Sequence, residues 1–193
     1  MVPNINANNK KNGFKSKVVV REMTSGKTLK EGKDYTLEYE KDGEAVLDGT
    51  KGAKLNEEYT VVVNGKGIYS GSTDQIEYSV VANKLPKLKG VATATIEYDG
   101  KEIILNPRTS MADDDYNFYL QSGKGDEIQY FFADLDGERS NYSYYKVINY
   151  TSNIKKGTAK ITVMGVNGYA GYKTISFKIY AQPIDKTFFK YKN

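Results

Sequence analysis

The chain has 193 residues and a formal net charge of +4, and it contains no cysteine, histidine or tryptophan. Without cysteine the chain has no disulfides, no thiolate zinc site and no cysteine nucleophile. Without histidine it lacks the residue that most often acts as a general base. The positive charge comes from many lysines and only three arginines, which are scattered among acidic residues. That distribution is typical of a solvated surface and does not indicate a nucleic-acid interface. No apolar run approaches the roughly 20 residues of a membrane span.

Frequent Val, Ile, Thr, Tyr and Gly, without long stretches of helical periodicity, predict an all-β protein. The length suits two domains of about 90 residues each. Residues 1–13 are rich in Asn and Lys and have no period, so we expect a flexible lead or a weak edge strand. They contain no basic-then-apolar signal segment, and we expect the chain to be a piece of a longer, exported protein.

The first half contains several alternating segments separated by glycine-rich turns. We predict strands at residues 17–22, 34–39, 59–63 and 75–81, a turn at 24–27 and a loop or irregular hairpin over 41–54. Residues 82–89, with Pro86 in the middle, favour an extended linker between domains.

The second half opens with a predicted strand over residues 92–98. Asp99-Gly100 then indicates a hairpin turn, with a return strand at 101–105. The pair Asp115-Tyr116 aligns with Asp34-Tyr35, which leaves an aromatic insertion at about residues 121–153. The pattern of residues 158–179 predicts two alternating strands around a glycine turn, and we expect residues 182–193 to begin a C-terminal connector or an edge strand.

The glycine turn occurs twice in the chain. Its two copies are Gly65, Tyr69 and Gly71, and Gly165, Tyr169 and Gly171. We expect the first glycine to supply a positive φ or a bulge, and the second to restart the chain where a β-carbon is disfavoured. The tyrosine is expected to cover the end of the core and offer its hydroxyl to a loop carbonyl. A phosphate-binding glycine loop needs a following helix, whereas a strand follows here.

Around these turns the first copy reads KVVVRE, LKEGKDYTLEY and EYTVVVNGKGIYSGSTDQIEYSV, and the second contains IEYDGKEI and KKGTAKITVMGVNGYAGYKTISFKI. Together these segments resemble the Ig-like surface repeats of Gram-positive bacteria over nearly all of residues 14–181. The resemblance implies two tandem Ig-like β-sandwich domains, at residues 14–81 and 90–181. It implies spacer or stalk modules of cell-wall proteins, sometimes with a role in adhesion, and no catalytic residues. A small β-grasp-like unit is the structural alternative.

The aromatic insertion is the one place where the sequence suggests a specific binding function. Its rings have apolar faces and polar edges, suited to stacking on carbohydrate or to a host protein. The alternative is that alternate rings belong to the core of an enlarged sheet. The candidate ligand-binding residues are Tyr130, Phe132, Tyr142, Tyr144 and Tyr145, with Phe131 and Tyr150 beside them.

Two acidic clusters are candidates for calcium. Asp134, Asp136 and Glu138 place oxygens at alternate positions around a turn, but the EF-hand pattern does not continue. Asp113, Asp114 and Asp115 form the second cluster. Solvated turns are the alternative for both, and we expect no other cofactor.

These observations predict a non-catalytic spacer of an exported bacterial cell-surface or cell-wall protein, joined to neighbouring domains. An adhesin that uses the aromatic insertion is the alternative. An enzyme ranks last because no particular pair of carboxylates is marked for glycoside hydrolysis. The sequence does not single out a Lys–Asn isopeptide bond among its many lysines and asparagines.

Overall fold

The computed structural model describes residues 1–8, 13–46, 53–135 and 143–182, and nearly all of its regular structure is β. The predicted all-β class is therefore confirmed. A single turn of 3-10 helix, Gly125–Glu127, accompanies thirteen strands in these ranges. The strands are β1 Ile5–Asn6, β2 Tyr35–Lys41, β3 Glu44–Ala45, β4 Glu58–Gly65, β5 Ile76–Val81, β6 Asn83–Lys84, β7 Lys89–Ala92, β8 Phe118–Ser122, β9 Gln129–Ala133, β10 Ser143–Thr151, β11 Gly157–Gly165, β12 Tyr169–Ala170 and β13 Tyr172–Ile179.

The N-terminal sheet has the strand order β1-β5-β4-β2-β3. Strands β2, β4 and β5 form an antiparallel meander, and β1 adds to β5 in parallel. Tyr59, Val61 and Val63 alternate into the interior along β4, as their spacing predicts. The strands predicted at residues 34–39, 59–63 and 75–81 are thus confirmed.

An irregular segment over residues 13–34 covers one face of this sheet. The Phe14 ring stacks on Tyr59 at 5.2 Å between centroids and meets the edge of Tyr39 at 5.8 Å. The strand predicted at residues 17–22 is wrong, since these six residues make only a single bridge within the described ranges, Arg21 with Thr28. Their valines pack against the core, and the backbone folds back on itself around a turn at Gly26.

The first residues are an edge strand and not a separate flexible lead. Ile5 and Asn6 pair with Val80 and Val81, and Val2 and Ile5 are buried in the N-terminal core. The weak-edge-strand alternative was the correct one for this segment. The segment forms a strand despite its many polar residues, because the open edge of β5 offers backbone hydrogen-bond partners and an apolar surface on which Val2 and Ile5 are buried. Residues 9–12 lie outside the described ranges.

The C-terminal sheet has the strand order β13-β11-β10-β9-β8-β7. Strands β10, β11 and β13 form an antiparallel meander, whereas β9 and β10 are parallel. The sheet curls so that its edge strands β7 and β13 approach each other. Gly90 permits this approach, since a β-carbon there would lie 2.5 Å from the ring of Phe118 and 2.9 Å from Ile175. The two strands predicted within residues 158–179 are confirmed.

The hairpin predicted over residues 92–105 is wrong. The strand ends at Ala92, and residues 93–117 run irregularly across the core. Gly100 adopts the expected positive φ of 88°, but the segments beside it do not pair with each other. Tyr98 donates its backbone N–H to Tyr180, and Ile103 donates to Asn153, because Ile96, Tyr98 and Ile103 all pack on the core of the sheet.

The buried side chains form cores that do not mix residues from the two halves. One core draws on residues 85–179, and two adjoining clusters draw on residues 2–80. The segment predicted as a linker, 82–89, belongs structurally to the C-terminal half: β6 pairs with β12, and Leu85 is buried in the C-terminal core. The segment is extended, as Pro86 favours, but it is anchored along its length.

Candidate functional site

The two glycine turns are closed by the same pair of backbone hydrogen bonds, although their inner residues differ in conformation. In each, the N–H of the first glycine donates to the carbonyl of the last at 2.9 Å, Gly65 to Gly71 and Gly165 to Gly171. The N–H of the motif tyrosine donates to a carbonyl earlier in the turn, at 3.1 Å in the first copy and 3.0 Å in the second. The repeated motif therefore encodes one pattern of closing bonds, which joins antiparallel strands β4 to β5 and β11 to β13.

The first and last glycines of the turn are needed for different reasons. Gly71 and Gly171 have φ values of 89° and 86°, which disfavour a β-carbon. Gly65 and Gly165 lack a positive φ, contrary to expectation. A β-carbon at either would instead lie 2.7 Å from the carbonyl oxygen of the motif tyrosine, so close approach of the backbone excludes a side chain.

Strand register identifies which residues of the two halves are equivalent. Tyr35 lies opposite Gly65, and Tyr145 lies opposite Gly165. The alignment of Asp115-Tyr116 with Asp34-Tyr35 is therefore wrong, and Tyr144-Tyr145 take that position. The residues that are inserted in the second half lie before Tyr144-Tyr145. They include strands β8 and β9, which have no counterpart in the N-terminal sheet as described.

The candidate aromatic residues divide between the interior and the surface of the C-terminal sheet. Tyr145 is fully buried and Phe132 is buried, so neither has a free face for a ligand. Tyr130 and Tyr144 are half-buried, and Tyr142 lies outside the described residues. The neighbouring Tyr150 is half-buried, and its hydroxyl exchanges hydrogen bonds with the backbone of Leu105.

Tyr144 connects the aromatic insertion to the second glycine turn. Its ring packs against Phe131 at 5.2 Å and against Tyr169 at 5.3 Å, both edge-on. Phe131 and Tyr169 are also in edge contact at 6.1 Å. These three rings cover the end of the core where the turn lies, which is the covering role expected of the motif tyrosine.

A second aromatic cluster surrounds Arg108, which the sequence analysis did not single out. Its guanidinium carbon lies 4.9 Å from the ring centre of Tyr116, 5.6 Å from that of Tyr130 and 5.9 Å from that of Phe132. Tyr119 extends the cluster along the outward face of β8, 5.7 Å from Tyr130. The sequence feature that could have pointed to this cluster is the arginine itself, which is rare in this lysine-rich chain. A flat guanidinium can stack on aromatic rings, whereas an ammonium group cannot stack in this way.

The acidic candidates do not form a metal site within the described residues. Asp134 is buried, and Asp136 and Glu138 fall outside those residues. Asp113 uses both carboxylate oxygens to hold its own loop, accepting from Thr109 and from the backbone of Asp115. Burial alone would raise the pKa of Asp113, but these bonds and the nearby Arg108 hold that pKa below its ordinary value. No group of three potential ligands comes together in the described part of the chain.

Comparisons of the chain with protein-family models, with curated proteins and with solved structures find no match. The resemblance to Gram-positive surface repeats stays a prediction. Function has to be inferred from the geometry of the chain itself. On the described residues, no helix is long and apolar enough to cross a membrane.

Contacts between the two halves involve backbone as well as side chains. The N–H of Gly171 donates to the carbonyl of Asn4 at 3.3 Å, and the Tyr172 hydroxyl donates to the carbonyl of Met1 at 3.1 Å. Within the C-terminal half, the connecting segment bonds to the same turn, since Leu85 donates its N–H to Ala170 at 3.2 Å. The second glycine turn thus lies at the junction, where it contacts both β1 and the connecting segment.

Proposed function

We propose that the chain is a non-catalytic spacer of an exported bacterial cell-surface protein, built from two tandem Ig-like repeats. The observation that carries this proposal is the duplicated three-strand unit: in both β2-β4-β5 and β10-β11-β13 a tyrosine lies opposite the first glycine of the turn, and the same glycine-to-glycine hydrogen bond closes that turn. Each meander lies over its own core. Repetition of a stable unit in series is a means of gaining length without adding a chemical site.

The contacts at the junction support a fixed distance between the ends of the spacer. A flexible linker between domains would leave the span free to fluctuate. Here the connecting segment pairs with β12, and the N-terminal strand reaches across to Gly171 and Tyr172. Such a connection holds neighbouring domains away from the cell wall at a defined separation.

A pulling experiment tests the spacer directly. The full chain is held between two handles and stretched in an optical trap, with a Gly/Ser chain of the same length as the matched control. The control stretches gradually at low force as an entropic spring, since its span averages about 5–6 Å times the square root of the residue number. We expect the protein to keep one length at low force and then to extend in two discrete unfolding steps. Gradual extension like that of the control would contradict the proposal.

A binding module is the second candidate, and the Arg108 cluster is the observation that favours it. Tyr116, Tyr119 and Tyr130 are half-exposed rings beside a guanidinium on the outer face of β8 and β9. Half-exposed tyrosines can stack on the apolar face of a sugar or on a partner protein. The buried candidates, Phe132 and Tyr145, do not contribute such a surface.

A glycan-array and mucin-binding screen decides between the two functions. The full chain is compared with the Tyr119→Ala/Tyr130→Ala variant, and with Tyr98→Ala, which removes a half-buried tyrosine elsewhere on the C-terminal core, as control. An adhesin would bind in the screen and lose binding only in the double variant. The spacer proposal expects no specific binding by any of the three proteins.

A further inference from the structure

Among the described residues, a cleft between the two halves is lined by four lysines and by no acidic side chain. Its volume is about 380 Å³, within the range of small-ligand sites. The floor includes the apolar side chains of Ile5, Leu85 and Ala170. The lysines that line it are Lys15, Lys17, Lys84 and Lys173.

These lysines come from separate segments of the fold. Lys15 and Lys17 belong to the irregular cover of the N-terminal sheet, Lys84 lies in the connecting strand β6, and Lys173 lies in β13. Among the described residues none of the four forms an ion pair, and Lys15 lies 5.7 Å from the ring centre of Tyr39. Four uncompensated positive charges around one cleft repel each other, and an anion in the cleft would relieve that repulsion.

The acidic residues near the junction line a different cleft. Glu58, Glu77 and Asp134 line a neighbouring space of about 420 Å³, with Lys146 as its single basic residue. The surface at the junction is therefore divided by charge, although the chain as a whole mixes lysines with acids. This separation gives the lysine cleft a positive field of its own.

We propose that the lysine cleft is a binding site for a phosphate-type oxyanion, either free or carried in a polymer. Lysine ammonium groups act as compact point charges that suit a multiply charged oxyanion approached from several sides. A neutral sugar could accept hydrogen bonds from the ammonium groups but would not compensate their charge. The site is distinct from the Arg108 cluster and goes beyond the spacer function.

Binding in this cleft would also act on the junction between the halves. The ligand would contact Lys17 from one half and Lys173 from the other, in the same cleft that Asn4 and Gly171 line and whose halves they join by a hydrogen bond. A ligand that touches both halves stabilises the arrangement in which both contacts form. The anion would therefore stiffen the junction that the spacer depends on.

The test is an NMR titration of the full chain with orthophosphate, tripolyphosphate and long-chain polyphosphate. The amide signals of Asn6, Leu85, Gly171 and Tyr172 report on the cleft. The Lys17→Glu/Lys173→Glu variant reverses one lysine from each half. The Lys155→Glu/Lys156→Glu variant makes the same change in net charge at two exposed lysines between β10 and β11 and is the matched control.

We expect tripolyphosphate to shift the cleft signals in the native chain and in the control. Its affinity should fall by about tenfold or more in the Lys17/Lys173 variant, since two attractions become repulsions, and it should weaken as salt is raised. Thermal unfolding of both variants checks that they are folded. Binding by orthophosphate alone would identify a free ion as the ligand, and much tighter binding of long-chain polyphosphate would identify a polymer. The proposal is wrong if the cleft signals do not move, or if both variants lose affinity equally.

Discussion

At the scale of single residues, two buried tyrosines differ in the environment of their hydroxyl groups. Tyr78, in the N-terminal core, donates its hydroxyl to the carbonyl of Phe14 at 2.8 Å. Tyr145, in the C-terminal core, is fully buried, and its hydroxyl finds no hydrogen-bond partner among the described residues. Burial raises the pKa of both phenols well above the ordinary value, so both stay neutral. Only one of the two hydroxyls therefore stabilises the fold.

Removing the hydroxyl should lower stability at Tyr78 but not at Tyr145. Tyr78→Phe leaves a buried carbonyl without its donor and should lower the free energy of unfolding by about 1 kcal/mol. Tyr145→Phe removes an unsatisfied polar group and should leave that free energy unchanged or raise it by up to about 1 kcal/mol. Urea unfolding of both variants measures the difference. A clear loss of stability in Tyr145→Phe would contradict this account of the C-terminal core.

Glu57 is held ionised by several donors. Its Oε1 accepts from Lys41 Nζ at 2.7 Å, and its Oε2 accepts from the backbone of Lys54 and from the Tyr59 hydroxyl, each at 2.8 Å. The Lys41 bond, followed by the Lys54 bond, lowers the pKa of Glu57 from 4.5 to about 2. Because the folded pKa is the lower one, the carboxylate stabilises the fold above pH 4.5, and this contribution is lost as the pH falls towards 2.

Glu57→Gln should therefore flatten the acid limb of the stability profile. Thermal unfolding midpoints measured between neutral pH and the folded pKa of Glu57 should fall less steeply in this variant than in the native chain. Glu58→Gln, which removes the adjacent exposed carboxylate, is the control and should keep the native slope. If the unfolding midpoint depends on pH equally steeply in all three proteins, protonation of Glu57 is not coupled to folding.

At the scale of elements, the two glycine turns make a quantitative prediction about their first and last positions. Alanine at Gly71 or Gly171 meets no atom within 4 Å but is strained by the positive φ, at a cost of about 1–2 kcal/mol. Alanine at Gly65 or Gly165 would push a β-carbon against a backbone carbonyl and force the whole turn to move. We expect Gly165→Ala to destabilise more than Gly171→Ala, and Gly65→Ala more than Gly71→Ala, by chemical denaturation. Opposite orders in the two copies would mean that the turns are not equivalent.

The paired strands could be predicted from the sequence because their signal is local. Alternation along residues 59–63 and 158–179, together with the glycines between strands, specifies both the faces and the turn. The covering segments could not be predicted in the same way. Residues 17–22 and 92–105 have the composition of strands, but their long-range backbone bonds are isolated ones, to Met1 in the first segment and to Tyr180 and Asn153 in the second, and do not form a sheet ladder. Edge pairing is a tertiary property, and strand propensity does not encode it.

The candidate site was predictable only in part for a related reason. Alternation accounts for Phe131 inward and Tyr130 outward on β9, but not for Phe132, which is buried as well. It does not bring Arg108 to those rings, because that contact depends on the irregular path of residues 93–117. The lysine cleft could not be predicted from the sequence either, because its four lysines come together only when both halves are folded against each other.

At the scale of the whole molecule, the junction determines whether the two halves keep one relative orientation. Hydrogen bonds from Gly171 to Asn4 and from Tyr172 to Met1 cross it. Each is modest alone, at about 1 kcal/mol for a typical hydrogen bond. On the C-terminal side the turn that makes these bonds is itself held by the β6–β12 pair, so the connecting segment and the N-terminal segment meet at one place.

The measurement that tests this central claim most directly is the set of backbone residual dipolar couplings of the full chain in a weakly aligning medium. Couplings from β2, β4 and β5 give the alignment of the first meander, and couplings from β10, β11 and β13 give that of the second. A rigid spacer predicts that one alignment tensor fits both sets in the relative orientation of this structure. Two tensors of different magnitude would show that the halves move independently, and the chain would then be a flexible tether.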